Sequence, residues 1–300
     1  MTVTAPILLF TYKRLAALKN TIAALKVNDL AAQSDLFIFS DGAKYEKDQQ
    51  IIEEIRTFLK TVDGFKTVHI TEAPTNKGLA NSIISGVTKV MERFDQVIVL
   101  EDDLLTTPNF LTYMNSALTT YKEQEKLFSI SGYSFDLRLK DQNPNHLYFL
   151  NRGWSWGWAT WRNRWEKVDW DVASYPEFAA NKKARKEFAK GGSDLNAMLD
   201  KQMTGKLDSW AIRWFYHQFT IGGLTLYPLG SKIYNDGFDE FATHTSGSGK
   251  RYLPFLDKKH SMEFNFPMPV EISANYQKKF QSKMGIMARI RSKLETILKG

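Results

Sequence analysis

The 300-residue chain contains no cysteine. That absence excludes disulfide scaffolds, thiolate zinc sites, iron–sulfur clusters and cysteine nucleophiles. Long apolar runs are missing too. No stretch approaches the roughly 20 residues that a membrane-spanning helix requires. The run at 7–10 near the N-terminus is too short for a signal-peptide core and lacks a basic leader. Repeats, low-complexity segments and an interdomain linker are equally absent, and so is the low-hydrophobicity, high-charge composition of disorder. With 43% hydrophobic residues the chain can build one large core. These features predict a soluble, cytoplasmic protein.

An excess of positive charge is present, but only at one end. Net charge is +7, from 40 Lys/Arg and 33 Asp/Glu. Residues 277–300 hold seven of the basic residues and one acid, Glu295. The remaining 276 residues are therefore nearly balanced, and the basic character belongs to the tail. A balanced body argues against a nucleic-acid-binding groove.

Strand and helix signals alternate over the first hundred residues. The apolar run at 7–10 reads as a buried strand, and the segments 36–39, 67–70 and 97–100 read as three further strands. Between them Leu15, Leu18, Ile22 and Leu25, then Ile51, Ile52, Ile55, Phe58 and Leu59, then the segment 78–93, have helical spacing. Such alternation predicts an α/β fold with a mostly parallel sheet flanked by helices. Ligands of such sheets gather outside the carboxyl ends of the strands. Polar residues follow each run: Lys13 and Arg14, Asp41, Asn76 and Lys77, and the triplet Glu101-Asp102-Asp103. The second half is irregular and rich in aromatics, with six of the eight tryptophans between 152 and 170. A short strand is expected at 129–133, polar helix at 182–202 broken at Gly191-Gly192, aromatic helix at 209–219 and a glycine-rich loop at 235–250.

The acidic triplet carries the strongest chemical signal. Three adjacent carboxylates behind a buried strand repel one another unless cations or donors compensate them. Mg²⁺ or Mn²⁺ takes one or two carboxylates and completes its shell with substrate phosphates and water. A solvated turn or helix cap is the structural alternative, because Thr106-Thr107-Pro108 opens a helix.

With PILLFTYKR (6–14), FIFSDG (37–42), VIVLEDDLLTTPNFLTYM (97–114) and LDSWAIRW (207–214), the chain resembles nucleotide-sugar-dependent glycosyltransferases of the GT-A, Rossmann-like fold. It is most similar to the N-acetylglucosaminyltransferase I type and, more loosely, to bacterial family 2 sugar transferases. The resemblance is good over 6–115 and patchy to about 250. It implies one GT-A domain over 1–265, with a nucleotide-sugar half (1–127) and an acceptor half (128–265). It implies Asp103 as direct ligand of Mn²⁺ or Mg²⁺, with Glu101 and Asp102 contacting ribose and donor sugar. Asp41 would bond the nucleobase, and Arg14 would contact the donor diphosphate. Asn76 and Lys77 precede a helix whose free N–H groups suit an anion, although a simple loop is an equal reading. Asp208 is implied as general base of an inverting transfer to an acceptor hydroxyl; the alternative is a helix N-cap.

Three further features stay open. His244, in the loop NDGFDEFATHTSGSGK, would complete the metal shell or lie on the surface. The loop itself reads as a lid over bound donor. Trp154, Trp156 and Trp158, spaced by two, predict a strand with three rings on one face, stacking on sugar or packing a core. In the tail Phe280, Met284, Met287, Ile290, Leu294 and Leu298 form an amphipathic basic helix over 277–300, suited to an anionic membrane surface or to docking on the body. The functional expectation is transfer of a sugar, N-acetylglucosamine by resemblance, from a UDP-sugar to a glycan or lipid-linked glycan of a bacterial surface polysaccharide. The enzyme would be peripheral on the inner face of the membrane. Two alternatives remain. A sugar-nucleotide nucleotidyltransferase normally carries a glycine-rich loop after its first strand, and FTYKRLAAL has no glycine. A carbohydrate-binding module gives no reason for three acids at a strand end.

Overall fold

Every position of the run 7–10 is apolar, which suits a strand covered on both faces. It forms β1 (Ile7–Thr11), followed by α1 (Leu15–Lys26), β2 (Asp35–Ser40), α2 (Gln49–Leu59), β3 (Thr67–Glu72), α3 (Gly78–Met91) and β4 (Gln96–Glu101). The structure is a computed structural model that describes residues 4–139, 143–237 and 249–297. The four strands are parallel in the order β3-β2-β1-β4. Alternation along β1 serves both faces. Ile7 and Leu9 pack with Leu18, Ile22 and Leu25 of α1, whereas Leu8 and Phe10 pack with Ala80, Ile83 and Val87 of α3.

After β4 the chain forms β5 (Leu104–Thr106), α4 (Phe110–Thr120), β6 (Leu127–Ser131), β7 (Leu147–Leu150), β8 (Trp158–Trp161) and α5 (Arg162–Trp165). Next come α6 (Tyr175–Ala180), α7 (Lys182–Phe188), α8 (Leu195–Met203) and α9 (Trp210–Thr220), then β9 (Leu224–Pro228) and β10 (Ile233–Asn235). The main sheet continues from β4 through β8, β6, β9 and β7 to eight strands. Here β8 runs antiparallel to β4 and β6, and β7 antiparallel to β9. The result is the expected α/β class with a mixed sheet covered by helices on both faces. A separate ribbon pairs β10 with β5. That pairing lays the residues after Asn235 beside the acidic triplet.

Two expectations change. Trp154, Trp156 and Trp158 do not share a strand face. Gly157 between them has φ +61°, a conformation glycine adopts freely, and β8 begins only at Trp158. The tail is not one helix. It divides at Gly285 into α10 (Ala274–Met284) and α11 (Ile286–Ile297). Phe280 and Met284 of α10 are fully buried in the same core as Leu147 and Leu226, while Ile286, Met287 and Ile290 of α11 are exposed. The Leu298 of the proposed stripe lies outside the described residues. The docking has polar anchors: Gln277 and Gln281 both donate to the carbonyl of Lys190, and Ser193 donates to that of Met284. No helix among the described residues is long and apolar enough to cross a membrane.

Candidate active site

A cavity of about 600 Å³ opens at the carboxyl ends of β1, β2 and β4. The parallel strands deliver three polar clusters to it. From β4 come Glu101, Asp102 and Asp103; from β1, Thr11, Tyr12 and Arg14; from β2, Asp41. Trp154, Trp156 and Asp208 also line it. Residues 14, 41, 76, 101–103, 154, 156 and 208 thus line one cavity.

Each acid of the triplet has its own surroundings. Asp102 Oδ2 accepts from Thr11 Oγ1 at 2.7 Å and from the Tyr12 N–H at 3.1 Å, tying β4 to β1. Asp103 Oδ2 meets Arg14 Nη1 at 2.7 Å, with both side chains mostly buried. Burial, reinforced by Asp103 and Asp102, pushes the Glu101 carboxyl well above the usual carboxylate range. Burial and Asp103 push Asp102 up to about 6 against its hydrogen bonds from Thr11 and Tyr12.

Gly237 also belongs to this cluster. A Cβ there would stand 2.0 Å from Asp103 Oδ2 and 2.7 Å from Arg14 Nη1, so glycine lets the chain pass directly over the carboxylate. The Asp236 N–H donates to the Asp103 carbonyl at 2.9 Å.

Among the described residues no three histidine or acidic side chains converge to cage a metal ion. The donor set nevertheless fits a hard divalent cation. Glu101 and Asp103 bring carboxylate oxygens to the cavity, and their mutual repulsion is the charge excess that such an ion relieves. His244 lies outside the described residues.

At the end of β2 the outcome differs from the expectation. The Asp41 carboxylate is filled by protein donors. Its Oδ1 accepts from the Gly42 N–H at 2.9 Å and the Lys77 N–H at 2.8 Å; its Oδ2 accepts from the Gly78 N–H at 3.0 Å and Asn76 Nδ2 at 3.1 Å. Four donors occupy the roughly four acceptor positions of a carboxylate. The anion at the start of α3 is therefore Asp41 itself, satisfying helix N–H groups that a ligand would otherwise meet. Asn76 is held in the same net and also donates to the Gly42 carbonyl. Lys77 contributes its backbone, and its side chain is exposed away from the cavity.

Asp208 is not a helix cap. Ser209 Oγ performs that role for α9 by accepting from the Ile212 N–H, which leaves Asp208 one residue outside the helix. Its side chain is 65% exposed, with Oδ1 3.5 Å from Arg213 Nη2 and Oδ2 beside Gly78. Trp154 and Trp156 line the cavity, but Trp158 is buried between Trp165, Trp210 and Trp214 and packs the core.

Sequence reasoning did not find Arg152, Asp194, Gly237, Arg251 or Arg289, all of which line the cavity. Arg152 and Asp194 form a two-armed ion pair, Nη1–Oδ1 and Nη2–Oδ2, both at 2.9 Å. No local pattern marks two residues 42 positions apart as partners.

No protein-family model and no curated protein matches the chain. Among solved structures it is similar to a mannosyltransferase from Pyrobaculum calidifontis in complex with GDP-mannose and Mn²⁺, with TM-score 0.38 and 10% identity. That match covers 55% of this chain and 46% of the other. TarS of S. aureus matches with TM-score 0.32 and 10% identity over 48% of this chain and 24% of its own. A protein from Desulfovibrio desulfuricans, described as a nucleotide-diphospho-sugar transferase, matches with TM-score 0.34 and 12% identity over 60% and 76% of the two chains. The chain spans less than half the length of the first two.

Proposed function

We propose that the protein is a glycosyltransferase that moves a sugar from a nucleoside-diphosphate donor, a UDP-sugar by motif resemblance, to a hydroxyl of a saccharide acceptor. The observation that carries the proposal is the meeting of Glu101, Asp102 and Asp103 with Arg14 in a cavity that is also lined by the exposed carboxylate of Asp208. An acidic strand end facing a guanidinium suits a diphosphate bridged by a cation, and a separate carboxylate is what an attacking hydroxyl needs.

Asp103 and Glu101 would hold Mn²⁺ or Mg²⁺, which supplies charge neutralisation to the departing diphosphate. Arg14 releases Asp103 and turns its guanidinium to the diphosphate oxygens. Asp102, bonded to Thr11 and Tyr12, keeps β1 and β4 in register and so fixes the distance from Arg14 to Asp103. Asp208 accepts the acceptor proton while the hydroxyl oxygen bonds to the anomeric carbon and the carbon–oxygen bond to diphosphate breaks. Attack from the face opposite the leaving group inverts the anomeric centre. Asp41 supports the site indirectly by pinning the start of α3 beneath Asp208. The exposed Ile286, Met287 and Ile290 of α11, among basic residues, would suit an anionic membrane surface, where a lipid-linked acceptor would be reached.

A thermal-shift screen of UDP-, GDP- and TDP-sugars with and without Mn²⁺ tests the reading, because a bound donor raises Tm by mass action. A Mn²⁺-dependent rise with one nucleotide sugar is expected, retained in Asp208→Asn while turnover falls about 10²-fold or more. No rise with any nucleotide sugar would refute the proposal.

A further inference from the structure

Another part of the cavity lining is left unused by the donor chemistry. It is built from Arg152, Trp154, Trp156, Arg251, Tyr252 and Arg289. These side chains touch in series. The Arg152 guanidinium lies 5.1 Å from the Trp154 ring centre, Trp154 and Trp156 are 5.4 Å apart, Trp156 and Tyr252 5.5 Å, and the Arg251 guanidinium lies 4.6 Å over Tyr252. The result is an aromatic floor with a guanidinium at either end.

Charge on this wall is one-sided. Asp194 is the carboxylate present, and Arg152 takes both its oxygens. Among the described residues neither Arg251 nor Arg289 has a carboxylate within ion-pair distance. Hydrogen-bonding capacity is one-sided as well. Arg152 Nε, Trp154 Nε1 and Arg251 Nε are buried donors without an acceptor. Arg152 and Trp154 are only 5% and 7% exposed, so water does not serve them freely. Buried donors in native proteins are overwhelmingly paired. A wall with buried donors left over, aromatic rings and two guanidinium groups that no carboxylate of the described residues meets within ion-pair distance asks for a ligand rich in oxygen acceptors, negatively charged, with apolar ring faces.

We propose that this wall binds an acidic saccharide, one bearing a carboxylate or phosphate, as the acceptor. A ring face lies against the half-buried Trp156, next to Trp154, and Arg251 and Arg289 take the anionic group in the forked geometry that guanidinium offers. A hydroxyl of the same sugar is then available to Asp208, which lines the same cavity. The assignment rests on the transferase reading for the word acceptor, but the binding itself is testable without transfer. A diphosphate of the donor is the other source of the same chemistry. Arg14 beside Asp103 already answers that group.

Indole N–H signals of the full chain, recorded by ¹⁵N NMR with Trp154→Phe to assign Trp154, separate these sources. Methyl glucuronide and glucose 6-phosphate serve as acidic probes and methyl glucoside as the neutral control. At least one acidic probe is expected to move the Trp154 signal and to bind about tenfold or more tighter than the glucoside, a ratio suited to one charge-assisted pair. Arg251→Gln should remove most of that preference, with the other indole signals reporting an intact fold. Asp103→Asn should leave it unchanged, even if donor binding is lost. Equal affinity for acidic and neutral sugars would overturn the proposal. So would UDP with Mn²⁺ moving the Trp154 signal by itself and displacing the acidic probe.

Discussion

At the residue scale the site depends on what stands over Asp103. The backbone of Gly237 passes so close that the smallest side chain would overlap the carboxylate. Asp103 would have to rotate away from Arg14, and the bond at 2.7 Å would break. Gly237→Ala is therefore expected to weaken donor binding about tenfold or more while Tm moves by only a few degrees, measured by calorimetric titration and thermal melting. A variant with unchanged donor affinity would show that Asp103 is not a donor-side group. Asp208 and Asp41 show how differently two acids of similar sequence surroundings end up. Asp41 precedes Gly42 in a turn and is saturated by four donors; Asp208 precedes the cap of α9 and is mostly exposed.

At the element scale the strongest structural tie in the cavity wall is Arg152–Asp194, linking the segment after β7 to the start of α8. Burial alone would raise the Asp194 carboxyl, but the Arg152 guanidinium overrides it and holds the group below the usual carboxylate range. A depressed folded-state value means that the contribution to stability is complete above the unfolded value of about 4 and is lost as pH falls through the folded value. Asp194→Asn leaves a buried charge uncompensated and is expected to cost about 3–5 kcal/mol at pH 7. Urea melts should show the gap from the unsubstituted protein narrowing below pH 4. A gap constant from pH 7 to pH 2 would contradict the pair's role.

The elements also explain what could be read beforehand. Strands β1, β2 and β4 were legible because each holds an apolar run ended by polar residues, and helices α1 to α3 because their apolar spacing is helical over two or more turns. The acidic triplet and Arg14 followed from those strand ends. The tryptophan-rich segment was not legible: a spacing of two implied a strand, but the positive φ of Gly157 turns the chain before β8 begins. Arg152 with Asp194, and Arg251 with Tyr252 and Trp156, are contacts made by the fold and leave no local periodicity. The tail was read as one apolar stripe because its spacing is helical throughout, whereas the docking of α10 through Phe280 and Met284 depends on a groove formed by distant strands.

On the scale of the whole molecule, both halves of the chain line the cavity. The parallel βαβ half supplies acids and Arg14 from strand ends, and the mixed half supplies aromatic and cationic walls, with Arg289 of α11 completing the cavity. Since α11 also exposes Ile286, Met287 and Ile290, one helix connects the cavity to the surface proposed for membrane contact. Flotation with vesicles containing anionic lipid should carry the full chain upward, less so for Met287→Glu/Ile290→Glu and at high salt. Equal flotation with neutral vesicles, or none, would remove the membrane from the account.

The central claim is that the strand end at 101–103 and a diphosphate share one divalent cation. Electron paramagnetic resonance of Mn²⁺, titrated into the protein with and without UDP, measures this directly. The account predicts that UDP tightens Mn²⁺ binding about tenfold or more and that Asp103→Asn abolishes the gain without unfolding the chain. Identical Mn²⁺ affinity with and without UDP, or a gain that survives Asp103→Asn, would contradict it.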